Sequence, residues 1–191
     1  MRVISGEARG RPLRAPKNQS KTRPMADKIK EAAFSSMESL GVFPDRVLDL
    51  YAGSGAVGIE ALSRWATQAD FVDRDRTACQ TIRQNLSHTG FADNGQVHQL
   101  SADVFLGRVR EPYDMVILDP PYADPDIIEV IERISNSNAV TQGTILLLGH
   151  WPRLEIPERI GRFETLRQRC HGDSCFAIFE WNDETGEVRE D

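Results

Sequence analysis

Two short segments carry side chains whose types and spacing suit chemistry. Asp119-Pro120-Pro121-Tyr122 follows directly on the apolar run Tyr113-Asp-Met-Val-Ile-Leu118. Neither proline has an N–H, so the stretch cannot extend a sheet ladder, and the Pro120 carbonyl is free to face a ligand. A carboxylate and a carbonyl side by side can accept both protons of a planar amine whose lone pair is delocalised into a ring. That localises the lone pair and aims it for attack. Tyr122 adds a ring on which a flat base can stack. The plain alternative is a proline-rich loop after a buried strand, with no chemistry.

Seventy residues upstream, Asp49-Leu-Tyr-Ala52-Gly53-Ser-Gly55-Ala-Val-Gly58 lies between a strand and a helix. Its glycines spell G-x-G-x-x-G, and Asp73 stands twenty residues past Gly53. This pattern serves nicotinamide dinucleotides and S-adenosylmethionine alike. Asp49 tips the balance, because a carboxylate there can hold a cationic amino-acid head, whereas a pyrophosphate gains nothing from it. Asp73 is expected at the ribose hydroxyls. Asp103, in Ser101-Ala-Asp-Val104, is expected at an adenine amine, with helix capping as its alternative. The expected cofactor is S-adenosyl-L-methionine, held by Asp49, Ala52, Gly53, Gly55, Asp73 and Asp103.

The elements between these segments must bring them to one edge. Arg46–Leu50, Ala69–Val72, Gln96–Leu100, Tyr113–Leu118 and Thr144–Leu148 read as strands. Helices are expected over Ala56–Trp65, Arg76–His88 and Asp126–Ile134. An earlier helix, expected from Pro24 up to Gly41, has Ile29, Ala32, Ala33, Phe34, Met37 and Leu40 on its apolar face. The alternation predicts an α/β fold with a mostly parallel sheet covered on both faces. Phe163–Cys170 and Cys175–Glu180, around His171-Gly-Asp173, predict an antiparallel hairpin closing it. Val3–Gly6 and Arg11–Leu13 predict a small N-terminal hairpin or extended arm.

The net charge of −6 hides a segregation. Residues 1–30 hold nine Lys/Arg against Glu7 and Asp27, so the remaining 161 residues carry −13. An acidic body repels phosphate, and a polyanion would dock on the basic arm through Arg9, Arg11, Arg14, Lys17 and Arg23. Charge alone serves a solvated terminus equally well. The expected organisation is a basic arm over residues 1–23, a catalytic domain over 24–181 and an acidic, disordered tail over 182–191. The start shows no signal-peptide core and no apolar run spans a bilayer, so a cytoplasmic protein is expected; a monomer is the expected state. Cys79, Cys170 and Cys175 follow no disulfide framework, and Cys170 and Cys175 are expected as apolar strand residues. No metal site is expected, because Cys170, His171 and Cys175 have no second cluster to complete a zinc set.

The chain resembles the RsmD-like family of bacterial 16S ribosomal RNA guanine-N2 methyltransferases from Arg2 to about Trp181. The resemblance is carried by the opening Arg2-Val-Ile-Ser-Gly-Glu-Ala-Arg-Gly-Arg11, by Thr22-Arg-Pro24, by Asp49–Leu62, by Phe71-Val-Asp-Arg-Asp75 and by Asp119–Tyr122. It implies a Rossmann-like class I methyltransferase fold with a seven-stranded sheet. It also implies methylation of one guanine in small-subunit 16S rRNA, on an assembly intermediate, with Asp119, Pro120 and Tyr122 at the target amine. The chain departs from the family at Met25, at Asp73 (commonly Glu), at His171-Gly-Asp-Ser174, and at His150-Trp151, where the family often has an acid. The alternatives are an adenine-N6 methyltransferase on DNA or RNA, a non-catalytic RNA-binding module, and a nicotinamide oxidoreductase. The last has no account of Asp119–Tyr122.

Overall fold

A computed structural model describes residues 1–16, 25–120 and 126–183. In chain order the elements are α1 (Asp27–Ser39), β1 (Arg46–Leu50), α2 (Ala56–Arg64), β2 (Gln68–Asp73), α3 (Arg76–Thr89), β3 (Gly95–Gln99), α4 (Ala102–Leu106), β4 (Met115–Leu118), α5 (Ile127–Ser135), β5 (Ile145–His150), β6 (Arg159–Ile160), β7 (Phe163–His171) and β8 (Ser174–Trp181). The strands form one sheet in the order β3-β2-β1-β4-β5-β8-β7-β6. β1 through β5 pair in parallel. β8 enters antiparallel to β5 and pairs antiparallel with β7. This is the class I methyltransferase fold. The expected seven strands are joined by an eighth, β6, whose two residues on the outer edge of β7 are too short to leave a period in the sequence.

The sheet is buried on both faces because its central strands are apolar throughout, as in Met115–Leu118. Alternate residues feed two cores. Val47, Met115, Ile117 and Leu147 pack with Ile29 and Phe34 of α1, Ile59 of α2 and Ile82 of α3. Leu48, Val116, Leu118 and Leu146 pack with Phe105 of α4 and Ile127, Ile131 and Ile134 of α5. Among the described residues no helix is long and apolar enough to cross a membrane.

The N-terminal segment is a packed part of this structure. The Val3 N–H donates to the Arg11 carbonyl (3.0 Å) and Gly10 to Val3 (2.9 Å), which closes the expected hairpin. Val3, Ala8 and Leu13 are buried in the core shared by α1, α2 and α3. The Glu60 carboxylate, fully buried in α2, accepts the Ile4 N–H (2.8 Å) and the Ser5 N–H (3.0 Å). It also pairs with Lys30 (3.1 Å) and Arg64 (2.8 Å). Lys30 Nζ in turn donates to the Arg2 carbonyl (2.8 Å). Burial lowers the Lys30 pKa, and Glu60 opposes that shift. Gly6 lies so close to the Ser63 carbonyl that a Cβ there would overlap it.

Cys170 and Cys175 correct an expectation. They face each other across the β7–β8 hairpin and are joined as a disulfide. The two-residue turn after His171 sets their register, which spacing alone does not reveal. Cys79 is free and buried.

Candidate active site

The loop after β1 is built to turn tightly. Gly53 and Gly55 have φ of 55° and 75°, and Tyr51, the one non-glycine with positive φ among the described residues, has 57°. A bulky residue held there costs on the order of 1–3 kcal/mol, which marks a conformation imposed by its surroundings. The Ala52 N–H donates to the Val72 carbonyl (3.1 Å) and the Gly55 N–H to the Ala52 carbonyl (2.6 Å), so the loop is tied to the end of β2. Gly58 packs against Phe71 and the Asp49 carboxylate with no room for a Cβ.

Carboxylates brace this loop from both sides. Asp49 is buried, and its Oδ2 accepts the Gly58 N–H (3.0 Å). Burial pushes its pKa well up, the Gly58 hydrogen bond opposes this, and the neighbouring charges of Asp119 and Asp73 push it further. Asp73 takes the Gly53 N–H on Oδ2 (2.9 Å) and the Asp75 N–H on Oδ1 (2.8 Å). Asp49, Ala52, Gly53, Gly55 and Asp73 are thus brought together around one turn. Mutually repelling carboxylates beside a glycine cradle fit a cationic ligand with ribose hydroxyls better than a pyrophosphate.

Asp103 stands apart from this group. It lies in the first turn of α4, exposed, with its Oδ1 3.3 Å from Arg133 of α5. The cap of α4 is Ser101, whose Oγ accepts the Val104 N–H (3.4 Å).

Asp119 leaves β4 one strand over from the loop. Its Oδ2 accepts the backbone N–H of Met25, just before α1 (2.9 Å). Its Oδ1 is sealed from solvent and meets no donor among the described residues. Burial raises its pKa to about 6, against the lowering effect of the Met25 hydrogen bond. Oδ1 lies over Gly149 of β5, where a Cβ would overlap it and would come 3.0 Å from Met25 Cε. Pro120 is buried beside it. Tyr122 lies outside the described residues, as do Lys17 and Arg23.

Met25, which the sequence marks only as a departure from the family, and Gly149, which it does not mark, are both at the site. Met25 follows the Arg-Pro element that marks the site in the chain, a usable signal. Gly149 reads as one more small residue in a strand.

The arm cations scatter. The turn bearing Arg9 packs on Ser63, in the last turn of α2, and Arg11 Nη1 donates to the His88 carbonyl near the end of α3 (3.1 Å). Both helices run back from the loop edge, so these two cations lie toward the opposite edge of the sheet. Arg14 sits higher, its N–H on Asn85 Oδ1 (2.9 Å), and the same Asn85 donates to the Ser54 carbonyl of the loop (2.9 Å).

The chain is similar in sequence and in fold to known proteins. YlbH of Bacillus subtilis (strain 168), named as a candidate rRNA methyltransferase, is 35% identical over 94% of this chain and 98% of its own length. Ribosomal RNA small subunit methyltransferase D of Escherichia coli (strain K12) is 28% identical over 94% of this chain and 89% of its own. The solved structure of yhhF from Escherichia coli, titled as a candidate methyltransferase, superposes with a TM-score of 0.79 at 28% identity, covering 95% of this chain and 98% of that one. The fold is also that of an RNA methyltransferase from Salinibacter ruber solved with S-adenosyl-L-homocysteine, with a TM-score of 0.66 at 17% identity, over 88% of this chain and 100% of that one. The family model described as conserved hypothetical protein 95 (Cons_hypoth95) matches residues 1–180, and the chain belongs to this family of RsmD-like methyltransferases.

Proposed function

We propose that this chain methylates the exocyclic N2 amine of a guanine in 16S rRNA, using S-adenosyl-L-methionine. One observation carries the reading. Asp119 follows a buried strand beside the glycine loop, with one oxygen fixed by Met25 and the other sealed and without a donor among the described residues. A buried acceptor left without a donor is costly, and an incoming N–H relieves it. The names of the relatives and the structure of like fold solved with S-adenosyl-L-homocysteine support the substrate class and the cofactor.

Asp49, Ala52, Gly53, Gly55 and Asp73 would hold the cofactor, with Asp103 at the adenine once it parts from Arg133. When bound, the cofactor supplies an electrophilic sulfonium methyl. Asp119 Oδ1 accepts one amine proton and the Pro120 carbonyl the other, which localises the nitrogen lone pair and points it toward the loop. The Met25 N–H keeps the carboxylate from rotating. Asp119 then takes the proton that the nitrogen gives up, which suits an acid raised toward 6. Tyr122 stacks on the base, and the basic arm draws in RNA phosphates. The substrate is a small-subunit assembly intermediate, met by a cytoplasmic monomer. The proposed organisation is a basic arm over 1–23, a catalytic domain over 24–181 and an acidic tail over 182–191.

The test is labelled methyl transfer to protein-stripped small subunits and to duplex DNA, followed by mass mapping of the modified base. N2-methylguanine in 16S rRNA is the expected product. Label in adenine overturns the choice of amine, and label in DNA alone overturns the choice of substrate.

A further inference from the structure

The loop-bearing edge of the sheet divides at Asp119. On one side, over β1 and β2, lie the glycine loop and Asp73. On the other, over β5, β8 and β7, is a stretch that none of the cofactor residues occupies. The strand register places its side chains. Asp119 follows the Leu118–Leu148 pair and so stands beside Gly149. Gly149 pairs with Phe176, and Phe176 with Arg169. Arg169 is therefore three strand spacings from Asp119 in the same row, about 14 Å away.

One residue past the His150–Cys175 pair comes Trp151, 38% exposed, with the Arg153 guanidinium 5.6 Å from its ring centre. His171, exposed and paired with Ser174, ends β7 at this same edge. Arg159 and Arg162 are neutralised by Glu164 and Asp183. Arg153 and Arg169 enter no ion pair among the described residues. Exposed Glu155 and Asp173 are the nearest acids in sequence. An exposed indole under a guanidinium, with a second unpaired guanidinium near by, is the combination that holds single-stranded nucleic acid: ring on base, cation at phosphate. Arg9 and Arg11 of the arm, toward the opposite edge, cannot serve this stretch.

We propose that the edge over β5, β8 and β7 carries the RNA strand flanking the target nucleotide, with Trp151 stacking on a neighbouring base and Arg153 and Arg169 at its phosphates. The proposal rests on the reading of this chain as an RNA methyltransferase, since it takes Asp119 as the reacting point and RNA as the ligand. Binding of labelled small-subunit RNA across a salt series tests it, with cofactor affinity measured on the same preparations. Trp151→Ala should weaken binding about five- to hundredfold, and Trp151→Phe should recover most of that. Arg153→Gln with Arg169→Gln should flatten the log affinity against log salt line by about 1.4–1.8. Cofactor affinity should stay at the wild-type value throughout. Wild-type RNA affinity in Trp151→Ala, or an unchanged slope in the arginine pair, overturns the proposal. A wild-type chain that binds RNA through Trp151 yet transfers no methyl upholds this surface and removes the reading of the reaction instead.

Discussion

Burial lifts the Asp119 carboxyl to about 6, so its charge changes within the range where the reaction can be assayed. Accepting an amine proton requires the ionised form. The rate of methyl transfer should therefore fall about tenfold per pH unit below 6, and Asp119→Asn should lose this limb along with most of its activity, while Asp119→Ala is nearly inert. The sign for stability is opposite. A carboxyl raised in the folded state favours folding when protonated, and that contribution is lost as pH rises through 6. Asp119→Asn should thus be more stable than wild type at pH 8, by up to about 3 kcal/mol, and the gap in urea denaturation should narrow toward pH 5. An equal gap at both values would mean that the carboxyl is not raised. Gly149 supports the same oxygen from below. Gly149→Ala should push Asp119 off its position and cost about a hundredfold in kcat, as a displacement near 1 Å does, with cofactor affinity unchanged. A normal kcat in this variant would show that Asp119 does not depend on the gap. Across the loop, Asp73→Ala should weaken cofactor binding by roughly 1–3 kcal/mol in calorimetry, since it removes the Gly53 anchor and, on the proposed reading, the partner of the ribose hydroxyls.

The elements that hold these residues were largely readable from the chain, and the exceptions have physical reasons. β4 announces itself as a fully apolar run stopped by Asp119-Pro120, because a strand buried on both faces needs no alternation. α4, with five residues, is too short to complete an amphipathic period, so the sequence offers a helix at Asp103 only as a capping alternative and gives no sign of Arg133. The anchoring of the N-terminal segment could not be read either. Glu60 looks like any helical glutamate, and only the fold shows it fully buried under Ile4, Ser5, Lys30 and Arg64. Val3, Ala8 and Leu13, which the fold buries, are too few and too unevenly spaced through a basic stretch to show that this segment packs. Glu60→Ala should destabilise the chain by about 3–5 kcal/mol, because Lys30 is left buried and unpaired. Glu60→Gln, which keeps acceptors for the Ile4 and Ser5 N–H groups, should lose less. Trypsin should then cut within residues 1–14 faster in the alanine variant than in the glutamine one, and equal rates would mean that the backbone bonds contribute little.

Across the whole molecule, charge and chemistry are kept apart. The excess of base sits in the first thirty residues, and among the described residues Arg11 and Arg14 are held by neutral partners, the His88 carbonyl and Gln84. Their charges remain available to phosphate. Neutralising Arg9, Arg11 and Arg14 together should lower the salt slope of RNA binding by about two to three, with cofactor binding untouched. An unchanged slope would move phosphate attraction off the arm. Finally, because β8 runs against β5, the chain must reverse between β7 and β8 at the same end of the sheet as Asp119. It does so in two residues, Gly172 and Asp173, with Gly172 at φ 59°, as a tight hairpin turn asks of its first position. Nothing lies within 4 Å of where a Gly172 Cβ would stand. Residues added at this tip would lengthen a finger over the approaching substrate and leave the cofactor half of the fold as it is. The turn is therefore a natural insertion point for retargeting the enzyme, because the change would come by graft rather than by redesign of a packed core.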